Sequence, residues 1–263
     1  MTPIKPMTPT ILASAVATYA DTATWRDHPD FRKATTPMLL AYAAASKAIA
    51  ALPLTARDAV PEFGLIIGVD HGEIEVTSEF LCTLKRRNLA RPFLFQSALH
   101  NATLGFLSMQ LKIHGPGVTT STHYFGGEDA LSMGSDFLAS RDCDACICIG
   151  VESVDAQVAE VLQVIYGTAA TPGTGAGAVI LARPEFADTH FGQPARLCID
   201  TITCDRSPRP SARQPNPPIL DFYGANAAAE VAKANAVGNP AQLNLIKPDG
   251  ASSCIVLRAT ACL

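Results

Sequence analysis

Residues 114–127 read His-Gly-Pro-Gly-Val-Thr-Thr-Ser-Thr-His-Tyr-Phe-Gly-Gly, and the fold follows from how that stretch is parsed. A Gly-Pro pair at 115–116 precedes a β-branched run at 118–122, which reads as a short strand. Phe125-Gly126-Gly127 follows at once, and residues 127–139 read as a helix. The unit is a strand, a tight turn carrying His123 and Tyr124, and a helix. A side chain on such a turn stands at a helix N-terminus, where unpaired N–H groups and the dipole favour negative charge.

Working outward, strands alternate with helices. Residues 11–16 read as a first strand. Residues 36–52 are Ala-rich and carry no Gly or Pro after Pro37, so they predict a helix with Pro37 in its first turn. Residues 63–69 form a short continuous apolar run, the mark of a central parallel strand. Further helices are expected over 75–87, 99–113 and 154–164, and strands over 145–150, 176–182 and 196–204. The order points to an α/β fold with a mostly parallel sheet. Five prolines within 207–219 exclude helix or central strand and mark a linker or an extended surface loop. An Ala-rich helix over 225–236 and a strand over 252–259 close the chain.

At 263 residues the chain buries a sizeable core. Hydrophobic residues make up 48% but aromatics only 6%, so the core is aliphatic, which suits helices packed on a buried sheet. A net charge of −4 argues against nucleic acid or an anionic membrane as the main partner. No apolar run reaches the roughly 18 residues of a membrane span. The opening Met1-Thr-Pro-Ile-Lys-Pro-Met7 lacks the apolar core of a signal peptide, so a cytoplasmic location is expected.

Cys143, Cys146 and Cys148 lie in an apolar run that reads as a buried strand, with 146 and 148 on one side of it. No second Cys or His pair stands at zinc-site spacing, so these are read as reduced, space-filling thiols and no metal is expected. Gly173-x-Gly-x-Gly enters a strand rather than a helix and lacks a phosphate cradle. No nucleotide or other cofactor is expected. Lys85-Arg86-Arg87 with Arg91 reads as a solvated helix end, or as a meeting point for an acidic carrier protein. His71 and His100 carry no assignment, and no Gly-x-Ser-x-Gly elbow occurs.

Six stretches together resemble the β-ketoacyl synthase family. Residues 64–72, Gly-Leu-Ile-Ile-Gly-Val-Asp-His-Gly, resemble its strand ending in a Gly-rich turn. Asn101-Ala-x-x-Gly-x-x-Ser108 followed by Gly115-Pro116 resembles the helix before the nucleophile strand. Residues 118–127 resemble the nucleophile turn, where the family has Ser-Thr-Ala-Cys-x-x-Gly. Gly150-Val-Glu-Ser153 is similar to Gly-Gly-Thr-Glu-Ser, residues 173–181 to the Gly-Glu-Gly-Ala-Gly strand, and residues 248–257 to the closing Gly-Gly-x-Asn-Ala-Ser strand. The resemblance covers about residues 10–205 and a short tail. It implies a thiolase-like layered α/β fold with a truncated second half: a synthase-like half over 1–206, a Pro-rich linker over 207–224, and a short helix and strand over 225–263.

The departures from that family bear on chemistry. Tyr124 stands where the acyl-accepting cysteine would be, with His123 before it. The family's His-Gly-Thr-Gly-Thr and Asn-His-Phe motifs are absent, and no histidine follows His190. A cysteine at a helix N-terminus is activated as a thiolate. A phenol titrates near pH 10, shuttles acyl groups poorly, and plugs the bottom of an acyl tunnel. The two histidines that would stabilise the enolate and oxyanion are lost with it.

The resemblance therefore implies a silent, chain-length-factor-like subunit, similar to the non-catalytic half of aryl-polyene-type ketosynthase heterodimers, in fatty acid, polyketide or polyene biosynthesis. Its partner would be a full-length β-ketoacyl synthase, or a second copy of the chain, with an acyl carrier protein met through the complex. Tyr124, Phe125, Gly126 and Gly127 are the expected gate, although Tyr124 also reads as a simple core aromatic and His123 as a satisfied interior histidine. Leu99, Leu104, Phe106, Met109, Thr120, Ser121 and Thr122 are the expected partner contacts. The alternatives are an independent acyltransferase or thioesterase using His123 near Ser121, Tyr124 or a cysteine, and a degenerate acyl-binding homodimer.

Overall fold

The computed structural model of the chain describes residues 7–122, 124–156, 159–160, 164, 173–191, 197–206, 226–238, 240–246 and 252–259. His123, the Pro-rich stretch 207–219 and residues 157–158 and 161–163 of the helix expected over 154–164 lie outside these residues. Eight strands form one sheet: β1 (Thr10–Thr18), β2 (Gly64–Val69), β3 (Gly117–Ser121), β4 (Ala145–Glu152), β5 (Gly175–Ala182), β6 (Leu197–Asp205), β7 (Ala241–Ile246) and β8 (Ser252–Ala259). Their order across the sheet is β3-β2-β4-β5-β1-β6-β8-β7. The principal helices are α1 (Thr36–Ala50), α2 (Ile74–Arg87), α3 (Pro92–Ser97), α4 (Ala102–Leu111), α5 (Gly126–Ser140), α6 (Pro184–Phe191) and α7 (Asn226–Val237).

The fold is the layered α/β arrangement the sequence predicts, with one correction. Only β3, β2 and β4 run parallel to one another. Every other neighbouring pair is antiparallel, from β4–β5 to β7–β8. A strand buried on both faces reads as a continuous apolar run whichever way its neighbour points, so apolar runs such as those of β4 and β5 carry no direction.

Strand alternation divides the core in two. Leu65, Ile67 and Val69 of β2 and Ala145, Ile147, Ile149 and Val151 of β4 face α1 and α4. Ile66, Cys146, Cys148, Val179 and Leu181 face α5 and α7 on the opposite side. Helix α1 sits close on the sheet because five of its buried residues are alanines, Ala41, Ala43, Ala44, Ala45 and Ala48. It begins at Thr35, whose Oγ1 accepts from Met38 N at 3.4 Å, with Pro37 in the first turn. The three central cysteines are buried and unpaired. Burial pushes the Cys146 thiol well above its usual range, which leaves it inert.

The sheet is covered on this side by α7 as well as α5. Ala227, Val231 and Ala232 of α7 pack on Ile11 and Val179 in the same core cluster. The β6-β8-β7 extension presents Thr201, Thr203, Gln242 and Asn244 exposed. Helix α7 therefore covers apolar surface of the sheet.

Candidate functional site

The carboxyl ends of β2, β3 and β4 meet at one edge of the sheet, because Val69 lies opposite Ser121 and Gly68 opposite Gly150. In open α/β sheets this end is where sites are built. Asp70 links all three strands. Its N–H donates to Glu152 Oε2 of β4 at 2.9 Å, its carbonyl accepts from Ser121 Oγ of β3 at 3.3 Å, and its Oδ2 accepts from Tyr124 N at 2.7 Å.

Tyr124 has φ +62, a left-handed conformation that costs a bulky side chain about 1–2 kcal/mol. The Asp70 hydrogen bond holds the turn in that shape. Such strain persists where the surroundings over-determine it, and it clusters at functional positions. Immediately after it, Gly126 brings α5 onto β2: a Cβ there would lie 2.8 Å from Val69 N. Gly126 and Gly127 are both buried and serve close backbone packing.

The turn is closed from the far side of the chain. Tyr124 and Phe125, 1% and 4% exposed, form a small cluster with Cys204 of β6. The Arg206 guanidinium lies 4.9 Å from the centre of the Phe125 ring and pairs with Asp129 of α5. Ser253 of β8 donates to Glu128 Oε1 at 2.5 Å, with both residues buried. Strand β8, and β6 with the Arg206 that follows it, thus cap the helix that begins at the turn.

Beside it lies an acidic, partly open region. Buried Glu152 accepts from His71 N at 3.3 Å and ion-pairs with His71 Nδ1 at 3.5 Å. Burial works against charge on His71, but Glu152 and Asp70 outweigh it and raise its pKa above the usual histidine value. Glu73 is pushed up to about 7: burial dominates, the Thr103 and Thr35 hydroxyls oppose it, and the charges of Glu75 and Glu152 add to it. Among the described residues no His, Cys, Asp and Glu converge tightly enough to hold a metal ion.

Of the residues expected at a partner contact, Leu99 and Met109 are exposed, at 43% and 72%. Leu104 is half-buried against the core, and Thr120 and Thr122 are half-buried at the strand end. Phe106 is turned inward, its ring 5.7 Å from that of Phe31, so it offers no contact surface. Sequence reasoning missed Asp70, Glu73, Glu128, Glu152 and Arg206 as working residues. Asp70 and Glu152 stand inside stretches 64–72 and 150–153, where carboxylates flanking His71 and ending a buried strand were the available signal.

The chain belongs to the family of the β-ketoacyl synthase N-terminal domain, whose model matches residues 8–165. No curated protein matches it. Among solved structures, the ishigamide ketosynthase/chain length factor is similar at a TM-score of 0.76 and 15% identity, over 95% of this chain and 99% of that one. A β-ketoacyl synthase from Burkholderia phymatum aligns at 0.77 and 12%, over 97% of this chain and 100% of that one. A ketosynthase in complex with its chain length factor from Xenorhabdus doucetiae gives 0.61 and 13%, over 95% and 99%. At these identities the likeness is one of fold. No helix among the described residues is long and apolar enough to cross a membrane.

Proposed function

We propose that the chain is a non-condensing subunit that pairs with a full-length β-ketoacyl synthase, in polyketide, polyene or fatty acid assembly, and helps set acyl chain length. One observation carries this reading. The N–H of residue 124, the kind of donor an acyl-transfer site aims at a developing oxyanion, is already given to Asp70 Oδ2 at 2.7 Å. The side chain on that residue is a phenol 1% exposed. The Cys204 and Arg206 lid adds to the closure.

Support for a partner comes from the surface. β3 is an edge strand, and Leu81, Leu84, Phe93, Phe95, Leu99 and Met109 expose apolar side chains on α2, α3, α4 and the residues between them. The partner face, the carrier protein reached through the complex, the cytoplasmic setting and the division of the chain at 206 and 225 all belong to this proposal.

Co-purification from the native host with mass determination of the complex tests it. The expected result is a complex with a synthase carrying an intact Cys-His-His set. In that complex Tyr124→Gly, which accepts the positive φ, lengthens the products. Recovery only as a homodimer would overturn the pairing, and unchanged product length would remove the gating role. Acyl-thioester turnover by the chain alone would favour the independent transferase or thioesterase.

A further inference from the structure

Glu152 ends β4 with its side chain fully buried. Its carboxylate accepts from the backbone N–H of Asp70 at 2.9 Å and of His71 at 3.3 Å, and lies 3.5 Å from His71 Nδ1. All of these contacts end on the loop after β2, so one buried carboxylate anchors that loop. Asp70 passes the anchor on, because its Oδ2 accepts from Tyr124 N at 2.7 Å. Among the described residues, the one cationic group paired with Glu152 is His71.

That makes the anchor conditional on pH. A buried ion pair that loses one partner leaves an uncompensated charge, which is strongly destabilising. Lys and Arg keep their charge at neutral pH, whereas histidine does not. Neutral His71 can still donate through Nδ1, but it brings no charge to offset the burial of Glu152. Among the described residues, the charged groups facing the imidazole are Glu152 from β4 and Asp70 from its own loop, both anionic. Glu73 stands two residues further along the loop, and its charge and that of Glu152 repel. His100, from the turn before α4, packs against Gly72, where an added Cβ would lie 2.7 Å from its Nδ1. It is exposed, so water screens any charge it carries.

We propose that protonated His71 is a pH-sensitive latch on the Tyr124 turn: its charge keeps Glu152 seated, Glu152 keeps the loop after β2 seated, and Asp70 of that loop keeps the turn closed. The latch is fully engaged below the ordinary histidine value of 6.5 and is released as pH rises through the raised value of the folded chain. The loop and the turn then open together. The latch concerns closure of the turn and does not depend on the pairing proposed above.

The test follows the Tyr124 amide by hydrogen exchange between about pH 5.5 and 8.5, each rate divided by the intrinsic rate at that pH. The His71 imidazole is titrated by NMR in the same samples. Glu73 titrates in the same range, so the decisive comparison is made in Glu73→Gln. There, protection of the Tyr124 amide is expected to fall about tenfold with rising pH, with its midpoint at that of the His71 titration. Glu73→Gln,His71→Gln is neutral at both positions and is expected to show low protection that no longer depends on pH. Level protection in Glu73→Gln, a midpoint apart from that of His71, or an unchanged fall in the double variant would overturn the proposal. If the double variant does not fold, the two midpoints in Glu73→Gln decide it.

Discussion

Two regions at the same end of the sheet have opposite characters. At the end of β3 the turn bearing Tyr124 and Phe125 is dry, aromatic and roofed by Cys204 and Arg206. A few residues away, the loop after β2 opens into a polar cavity walled by Glu73, Glu75 and Asp155. Asp70 connects the two, holding the turn through Tyr124 N and tied to β4 through Glu152. The difference teaches that one end of a sheet can hold a sealed aromatic turn and an open polar pocket side by side. Here the turn is filled by the Tyr124 ring and covered by Cys204 and Arg206, while ionisable groups stay concentrated beside it.

The largest effect is expected from removing the filling. Tyr124→Ala deletes a fully buried ring and is expected to cost about 3–5 kcal/mol in denaturant unfolding. Tyr124→Gly removes still more volume, yet glycine adopts φ +62 without strain. It is therefore expected to be about 1 kcal/mol more stable than Tyr124→Ala. Should alanine be the more stable of the two, the turn holds no strain and the contrast between the regions is one of packing alone.

The polar region is expected to respond to pH instead. The pKa of Glu73 rises from 4.5 in the open chain to about 7 when folded. The folded state binds the extra proton between those values, so stability is full below about pH 4.5 and is lost as pH rises through 7. The loss approaches about 3 kcal/mol. Glu73→Gln keeps an oxygen for the Thr35 and Thr103 hydroxyls and carries no charge. It is expected to be more stable than the wild type at pH 8 and about equal at pH 4.5, read from unfolding midpoints at the two pH values. The raised pKa of His71 has the same sign, so some fall with pH persists in the variant. A variant less stable at pH 8 would mean that a ligand or ion already compensates the carboxylate.

How much of this was legible beforehand differs between the regions. The residues 63–69 read as a strand are Gly64–Val69 in the structure, and the helix expected over 127–139 is Gly126–Ser140. Those signals are local: an apolar run, a glycine pair and turn residues. Strand β7 was not foreseen, although Ala-Gln-Leu-Asn-Leu-Ile alternates with a period of two. Tyr124 was legible because it interrupts a recognisable pattern. Its partner Asp70 was not, since the hydrogen bond spans 54 residues of sequence, and Asp70 reaches Glu152 across 82. The roof of the turn joins residues still further apart, Ser253 and Glu128, and no periodicity encodes such a meeting. The acidic cavity was illegible for the same reason, being made from α1, α2 and residues flanking β2 and β4.

The smallest effect tests whether the roof is a roof. The Arg206 side chain is 49% exposed, so its ion pair with Asp129 is screened by water and contributes little. Its stacking on Phe125 adds about 0.5–1 kcal/mol. Arg206→Ala is therefore expected to lower global stability by no more than about 1 kcal/mol. Local opening is a separate quantity and can change more visibly than the global midpoint. Hydrogen exchange at the Tyr124 amide, which Asp70 protects, is expected to quicken about fivefold, the equivalent of about 1 kcal/mol. Arg206→Lys keeps the charge but loses the planar stack, so it should behave closer to alanine than to arginine. If instead lysine restores full protection and added salt abolishes it, charge pairing holds the roof. The roof would then be as dependent on electrostatics as the cavity beside it, and the contrast between the two regions would narrow to which of them is open to water.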